Sequence, residues 1–231
     1  MADADKEEAL RKEQKPPCDV EDACRVAREC FGLRGIVSVK TLESYDDKNF
    51  CLKGSLRGGA PTTYTLKLHN GVESKNAAAM EAQNAIMLHL EQHGFCVPAP
   101  RTDAAGVHTA FTTLSMRGAI DPPREHAARL LRWVAGVPMN EAKAIDLSTL
   151  RACGVYLGRM TAALNGGLDG AGDVFDHAGA HRVHIWDLQV CFYLPLHFKR
   201  ILLTILTCPP HILTFKTPPE HVAIARLCAR D

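Results

Sequence analysis

The fold that we predict rests on two stretches of the sequence, Tyr45-Asp46-Asp47-Lys48-Asn49-Phe50 and, after it, Tyr64-Thr65-Leu66-Lys67-Leu68. The first stretch is typical of a turn that leads into a strand. The second alternates polar and apolar side chains, as a strand with one buried face does. Lys67 lies on the polar face of that strand, and Glu81 lies in the long helical segment that comes next. A turn, a strand lysine and a helix carboxylate therefore follow one another in that order.

The elements around this stretch are predicted from capping residues and hydrophobic periodicity. Asp19 can cap a helix that ends before Gly32, Ser74 can cap a second that runs to about His93, and Ser148 begins a third. The predicted strands are Ile36–Glu43, Phe50–Lys53, Thr62–Leu68, Thr109–Leu114 and Ala127–Trp133. Because each element has one apolar face to bury, we expect an α+β fold. Its antiparallel sheet has about five strands and packs with one crossing helix.

Composition narrows the classes of function. The 231 residues are 46% hydrophobic, enough for a sizeable core, and the net charge of +1 indicates no nucleic-acid partner. The nine cysteines include no Cys-x-x-Cys pair, which favours reduced thiols in a cytoplasmic protein. Residues 1–17 are charged and lack an apolar core, so we expect a disordered lead-in and not a secretory signal. Charged residues and a proline interrupt the apolar stretch Val190–Leu206, so no membrane span is predicted.

Lys67 and Glu81 are the first candidate functional residues. Each has an ordinary interpretation as a solvated surface charge. In this order, however, a strand lysine can bind the phosphates of a nucleotide, and a helix carboxylate can hold its ammonium in one rotamer. The turn Ser44–Phe50 can direct backbone N–H groups at an anion. Asx turns at Asp46 or Asp47 in an ordinary hairpin explain the same residues.

Two other groups of residues favour ordinary interpretations. His177, His181 and His184 are spaced as metal ligands on a helix could be, but Gly179 argues against the helix that this would need. We therefore assign no metal site to them. The two tryptophans of the chain are interpreted as packing residues.

Several motifs together resemble the aminoglycoside phosphotransferase and choline kinase family, and within it the hydroxylysine kinases. The residues that carry this resemblance are Glu43–Phe50, Tyr64–Lys67, Ser74–Asn76, Glu81–Asn84, Arg129–Pro138 and His184–Leu188. It covers about Asp19 to Leu188, and the Tyr-Asp-Asp-x-Asn-Phe turn is its most specific part. The resemblance implies a protein-kinase-like N-terminal lobe at 18–135 and the start of a helical C-terminal lobe at 136–189. A divergent tail follows at 190–231.

The resemblance also implies a reaction and a binding site. The reaction is transfer of the γ-phosphoryl group of GTP, or of ATP, to the hydroxyl group of 5-hydroxylysine, an amino alcohol, with Mg²⁺ in the full-length family. The implied nucleotide-binding residues are Ser44, Tyr45, Asp46, Asp47, Asn49, Lys67, Glu81, Arg132, Trp133 and Val134. In this assignment Lys67 holds the phosphates and Glu81 orients it. The turn covers the nucleotide, and Arg132–Val134 is the hinge that meets the base.

The sequence departs from the family where the chemistry should follow. A His-Gly-Asp-x-x-x-x-Asn catalytic loop and an Asp-Phe-Gly-Asp-like metal segment are implied after Trp186, and the 231 residues contain neither. Gly172-Asp173 comes before Trp186 and has no preceding histidine. No catalytic or metal residue is therefore assigned, and we expect little phosphotransferase activity from this chain alone. The alternative is a non-catalytic nucleotide-binding or protein-interaction module.

Overall fold

The computed structural model describes residues 2–103, 105–115, 122–138, 141–142 and 145–164. The chain separates into two compact units. One is Met1–Ile145 with Cys153–Arg182, and the other is Asp146–Ala152 with Val183–Asp231. The motif predicted at His184–Leu188, the three spaced histidines and the tail at 190–231 lie outside the described residues. Every contact discussed below belongs to the first unit.

The described helices and strands alternate in an α+β order. The helices are α1 Ala2–Glu13, α2 Val20–Phe31, a 3-10 helix Glu73–Lys75, α3 Ala77–Gln92 and α4 Leu147–Leu164. The strands are β1 Arg34–Leu42, β2 Lys48–Ser55, β3 Thr62–Leu68, β4 Pro100–Arg101, β5 Ala110–Leu114 and β6 Arg124–Arg132. Among these described helices, none has the length and apolar character that crossing a membrane requires.

The strands form one antiparallel sheet in the order β1-β2-β3-β6-β4, with β5 also paired to β6. The predicted α+β fold, an antiparallel sheet with the helix α3 crossing between β3 and β4, is confirmed. The sheet has six strands where about five were expected. The additional strand, β4, has two residues, too few for an alternating pattern to show in the sequence.

Helix α2 covers one face of the sheet, and the side chains on that face are apolar. Asp19 caps α2 by accepting a hydrogen bond from the N–H of Asp22 at 2.9 Å, and Gly32 ends the helix with φ +67°. Both ends of this helix are as predicted. The core beneath it includes Ala23, Val26, Ala27 and Phe31 of α2 and Phe50, Leu52, Leu66, Leu68 and Leu130 of the sheet.

The opposite face of the sheet is polar at its centre. The register pairs Asn49 with Lys67 and Lys67 with Arg129, so these three side chains stand side by side on neighbouring strands. Helix α3 lies towards this face, because Arg129 donates hydrogen bonds to its residues Gln83 and Asn84. The sheet therefore presents two cations and an amide to the side on which α3 lies.

Helix α3 begins later than predicted. Asn76, and not Ser74, is its cap, and its side chain accepts from the N–H of Ala79 at 3.1 Å. Ser74 lies in the preceding 3-10 helix, where its hydroxyl donates to the carbonyl of Asn70 at 2.8 Å and accepts from the N–H of Ala127 at 2.9 Å. The hydroxyl thus links the loop after β3 to β6, a tertiary contact that outweighs a local cap.

The expected disordered lead-in is wrong, because residues 2–13 form α1. The charged composition of this segment predicted that it has too few apolar side chains to pack against the rest of the protein. Arg11 is nevertheless only 6% exposed and lies between the carboxylates of Asp46 and Glu73. These partners are 35 and 62 residues away in the chain, so the segment is ordered by ion pairs that its own composition cannot reveal.

Replacement of Gly54 by alanine should lower the free energy of unfolding by about 1–3 kcal/mol, since overpacking of a close-packed interior costs that much. A Cβ at this β2 position would lie 2.9 Å from the carbonyl oxygen of Arg34 and 3.1 Å from a side-chain carbon of Leu33. Gly136→Ala is the control, because nothing lies within 4 Å of its Cβ position. Urea unfolding of the two variants measures the difference, and equal stabilities would contradict the prediction.

Candidate functional site

The turn between β1 and β2 meets the end of β3. The ammonium of Lys67 donates a hydrogen bond to Oδ2 of Asp47. Oδ1 of the same carboxylate accepts from the backbone N–H of Asn70 at 2.9 Å and from its Nδ2 at 3.2 Å. The structure therefore brings together two of the predicted site residues, the turn aspartate and the strand lysine, and adds Asn70 to them.

The electrostatics of this contact favour the ion pair at neutral pH. Burial acts to raise the pKa of Asp47, whose residue is 8% exposed. The Lys67 ammonium and the hydrogen bonds from Lys67 and Asn70 outweigh that effect, and the pKa of Asp47 is lowered. Asp47 is consequently ionised at neutral pH. Its carboxylate binds the ammonium of Lys67, which the sequence assigned to phosphate groups.

Glu81 does not make the contact that the sequence predicted. It lies on the exposed side of α3, and its nearest described hydrogen-bond partner is Nδ2 of Asn84, at 3.5 Å from Oε1. In the described part of the chain the carboxylate that pairs with Lys67 is that of Asp47. The expected Lys67–Glu81 pair is not formed in this structure, and the α3 residues that bond to Arg129 of the sheet are Gln83 and Asn84.

Arg129 supplies the link between α3 and the sheet. Its residue is 3% exposed, and its guanidinium donates to Nε2 of His69 at 2.9 Å, to Oδ1 of Asn84 at 3.0 Å and to Oε1 of Gln83 at 2.8 Å. Asn84 in turn donates to the hydroxyl of Thr109 at 3.0 Å. Sequence reasoning missed this residue. The available signal was an arginine within the apolar run of β6, where a charge is buried only with partners.

His69 is neutral in this arrangement. Burial, followed by the positive charges of Arg129 and Lys67, lowers the pKa of His69 to about 3. The neutral ring can accept the Arg129 hydrogen bond at Nε2, which an imidazolium could not do. The backbone carbonyl of His69 lies 2.9 Å from Nδ1 of His126, so the loop after β3 is also fixed to β6.

Acidification should destabilise the protein through His69. A histidine whose pKa is lower in the folded state contributes stability that is present above its unfolded pKa of about 6.5 and is lost as the pH falls towards the folded value. We expect the free energy of unfolding to fall by about 2–3 kcal/mol between pH 6.5 and pH 4.5, since each pH unit is worth about 1.4 kcal/mol. Chemical unfolding across this pH range measures it. In His69→Gln the slope should be smaller, and an unchanged slope would contradict the assignment.

The remaining turn residues point in different directions. The hydroxyl of Ser44 donates to the carbonyl of Asp47 at 2.7 Å, and Oδ2 of Asp46 accepts from Arg11 at 2.6 Å. Tyr45 is half exposed, and its hydroxyl bonds to Glu8. Oδ1 of Asn49 is buried beside Lys67 with no hydrogen-bond partner among the described residues. This oxygen is therefore an acceptor that the described contacts leave unsatisfied.

The predicted hinge lies at the far end of β6. The backbone N–H of Arg132 donates to the carbonyl of Ala99 at 2.9 Å, while its guanidinium approaches Glu91 at 3.4 Å and Sγ of Cys96 at 3.2 Å. Trp133 is half-buried and Val134 is exposed. Arg132 thus fixes the chain that follows α3 to the sheet, and the role of Arg132, Trp133 and Val134 towards a nucleotide base stays a prediction.

No family model matches the chain. Three curated relatives are hydroxylysine kinases. The protein of Xenopus laevis is 26% identical over 57% of this chain and 34% of its own length. The protein of Danio rerio is 37% identical over 36% of this chain and 22% of its own length. The protein of Mus musculus is 26% identical over 76% of this chain and 45% of its own length. This chain is similar in sequence to the hydroxylysine kinases. The predicted resemblance is confirmed, and the chain spans less than half the length of the proteins it matches.

A solved structure gives a further comparison. The match to the amicoumacin kinase hAmiN, in complex with AMP-PNP, Ca²⁺ and Ami, covers 87% of this chain and 56% of the hAmiN chain. The TM-score is 0.49 and the sequence identity is 13%.

Proposed function

We propose that this chain carries the nucleotide-binding lobe of a phosphotransferase that moves the γ-phosphoryl group of GTP, or of ATP, to the hydroxyl group of 5-hydroxylysine. The observation that carries the proposal is the pairing of Lys67 with the Asp47 turn, in a chain related to the hydroxylysine kinases. Phosphoryl transfer requires a cation fixed beside the phosphates. Here the turn and β3 hold such a cation on the polar face of the sheet.

In this proposal the residues of the polar face bind and orient the nucleotide. The phosphates take the place of the Asp47 carboxylate on the ammonium of Lys67, because both are anionic acceptors of a charge-assisted hydrogen bond. Asn49, which lies beside Lys67, would turn its buried and unpartnered Oδ1 towards a donor on the nucleotide. Mg²⁺ would neutralise charge on the phosphates when bound. The described residues include no group of three metal-ligating side chains, so none of them is assigned to it.

The chain alone should bind nucleotide and show little turnover, because neither a catalytic base nor magnesium ligands can be assigned in its sequence. A positioned general base contributes about 10²–10⁴-fold to the rate. Calorimetry of the 231-residue chain with Mg-GTP and with Mg-ATP tests the binding, and a coupled assay with 5-hydroxylysine tests the turnover. Clear turnover by this chain would overturn the proposed deficiency.

The decisive test is a fusion. The helical lobe of the Danio rerio hydroxylysine kinase, joined after Leu188, should give a protein that phosphorylates 5-hydroxylysine, with the same fusion carrying Lys67→Ala as the inactive control. A folded fusion that neither binds nucleotide nor transfers phosphate would refute the proposed function. Binding without transfer, in a fusion whose donor lobe is active in its own protein, would favour a non-catalytic nucleotide-binding module.

A further inference from the structure

Helix α1 contacts the turn that contains Asp46 and Asp47. Arg11 is the centre of this contact, because its Nε donates to Oδ2 of Asp46 at 2.6 Å and its Nη1 donates to Oε1 of Glu73 at 2.8 Å. Arg11, Asp46 and Glu73 have side chains that are 7%, 14% and 9% exposed. Water therefore screens these ion pairs weakly, and both are short hydrogen bonds between ionised groups.

Further contacts connect the same segment to the turn. Lys15 donates to the backbone carbonyls of Ser44 at 2.8 Å and Tyr45 at 2.9 Å. The ammonium of Lys12 lies 4.8 Å from the centre of the Tyr45 ring, and the hydroxyl of that ring bonds to Glu8. Residues 8–15 thus hold Ser44, Tyr45 and Asp46 one after another, and we call these eight residues the strap.

The strap and the strand lysine bind the side chains of two adjacent turn residues. Asp46 is bound by Arg11, while the adjacent Asp47 is bound by Lys67. Nδ2 of Asn70 lies 3.2 Å from an oxygen of each carboxylate. The two aspartates therefore share this neutral donor, and each of them also binds one cation. Without Arg11 the Asp46 carboxylate would have no cation beside it in the described structure, and it would compete for Asn70 and for Lys67.

We propose that Arg11 is a positioning residue for the nucleotide site, and that the strap fixes the turn at 44–47 so that the Asp46 carboxylate stays away from Lys67. The inference rests on the proposed function for its effect on nucleotide, and on the contacts alone for its effect on the turn. Arg11 keeps Asp46 away from the lysine, which leaves Lys67 with a single carboxylate that phosphates must displace.

The test uses the whole chain with Arg11→Ala, with Arg11→Lys as the conservative variant and Arg25→Ala as the matched control. Among the described residues, Arg25 pairs within α2 with Asp22 and Glu29, and its own side chain is 40% exposed. Hydrogen exchange of the amides at 44–49 and calorimetry with Mg-GTP are the two measurements. Arg11→Ala should speed the exchange and raise the Kd for Mg-GTP by about tenfold each, Arg11→Lys should recover part of both, and Arg25→Ala should change neither.

The outcomes separate this inference from the proposed function. If wild-type chain binds neither nucleotide, the proposed function fails, and hydrogen exchange alone decides whether Arg11 positions the turn. Unchanged exchange in a folded Arg11→Ala chain would overturn the strap. Faster exchange with an unchanged Kd would overturn the positioning role towards nucleotide. If Arg11→Ala does not fold, the exchange and the Kd of Arg11→Lys decide in the same way.

Discussion

Replacement of Lys67 by alanine should weaken binding of Mg-GTP by about 10–100-fold, because a charge-assisted hydrogen bond contributes about 1.5–3 kcal/mol. Lys67 is the cation that the register places beside Asn49 and that the turn reaches through Asp47. Its side chain is 25% exposed, so a phosphate can approach it without rearrangement of the sheet. Calorimetric titration of the purified chain with Mg-GTP measures the change in Kd.

Lys53→Ala is the matched control for this variant. Lys53 lies on the same sheet and on the same face of β2 as Asn49, but it is exposed and makes no ion pair among the described residues. Its replacement should leave the Kd within about twofold, since exposed charges away from a site contribute little. Circular dichroism verifies that both variants are folded. A Lys67→Ala chain that binds Mg-GTP as tightly as wild type would remove the lysine from the site.

The sequence predicts the framework of this fold well because its signals are local. Asp19 and Gly32 bound α2, and the alternation from Thr62 to Leu68 fixes which face of β3 is buried. The polar position of Lys67 follows from the same alternation. The resemblance predicted from the Tyr-Asp-Asp-x-Asn-Phe turn is also a local signal, since adjacent residues carry it.

The partners of the charged residues are not predictable in the same way. Asp47 is 20 residues from Lys67 and Arg11 is 62 residues from Glu73, so only the folded chain brings each pair together. The sequence contains carboxylates at both Asp47 and Glu81, and each could pair with a strand lysine. Which of them does so depends on the rotation of α3 about its axis. Periodicity alone leaves that rotation uncertain by about one residue, or 100°.

Arg129→Met should lower the free energy of unfolding by about 2–4 kcal/mol, since each buried polar group that loses its partner costs about 1–3 kcal/mol. The substitution keeps an unbranched apolar side chain of comparable length. It leaves Nε2 of His69 and Oδ1 of Asn84 without the donor that they now share. Removal of a buried charge recovers part of that loss, and so the expected value stays below the sum of the separate costs.

Arg132→Met provides the comparison within the same strand. Its guanidinium is 37% exposed and lies 3.4 Å from Glu91, a partly solvated pair that contributes about 1 kcal/mol or less. Urea unfolding of the two variants should therefore separate them by more than 1 kcal/mol. The loss of Arg129 should also weaken the pH dependence assigned to His69, because its charge is one cause of that low pKa. Equal destabilisation by both substitutions, with an unchanged pH slope, would mean that α3 is held to the sheet by other contacts.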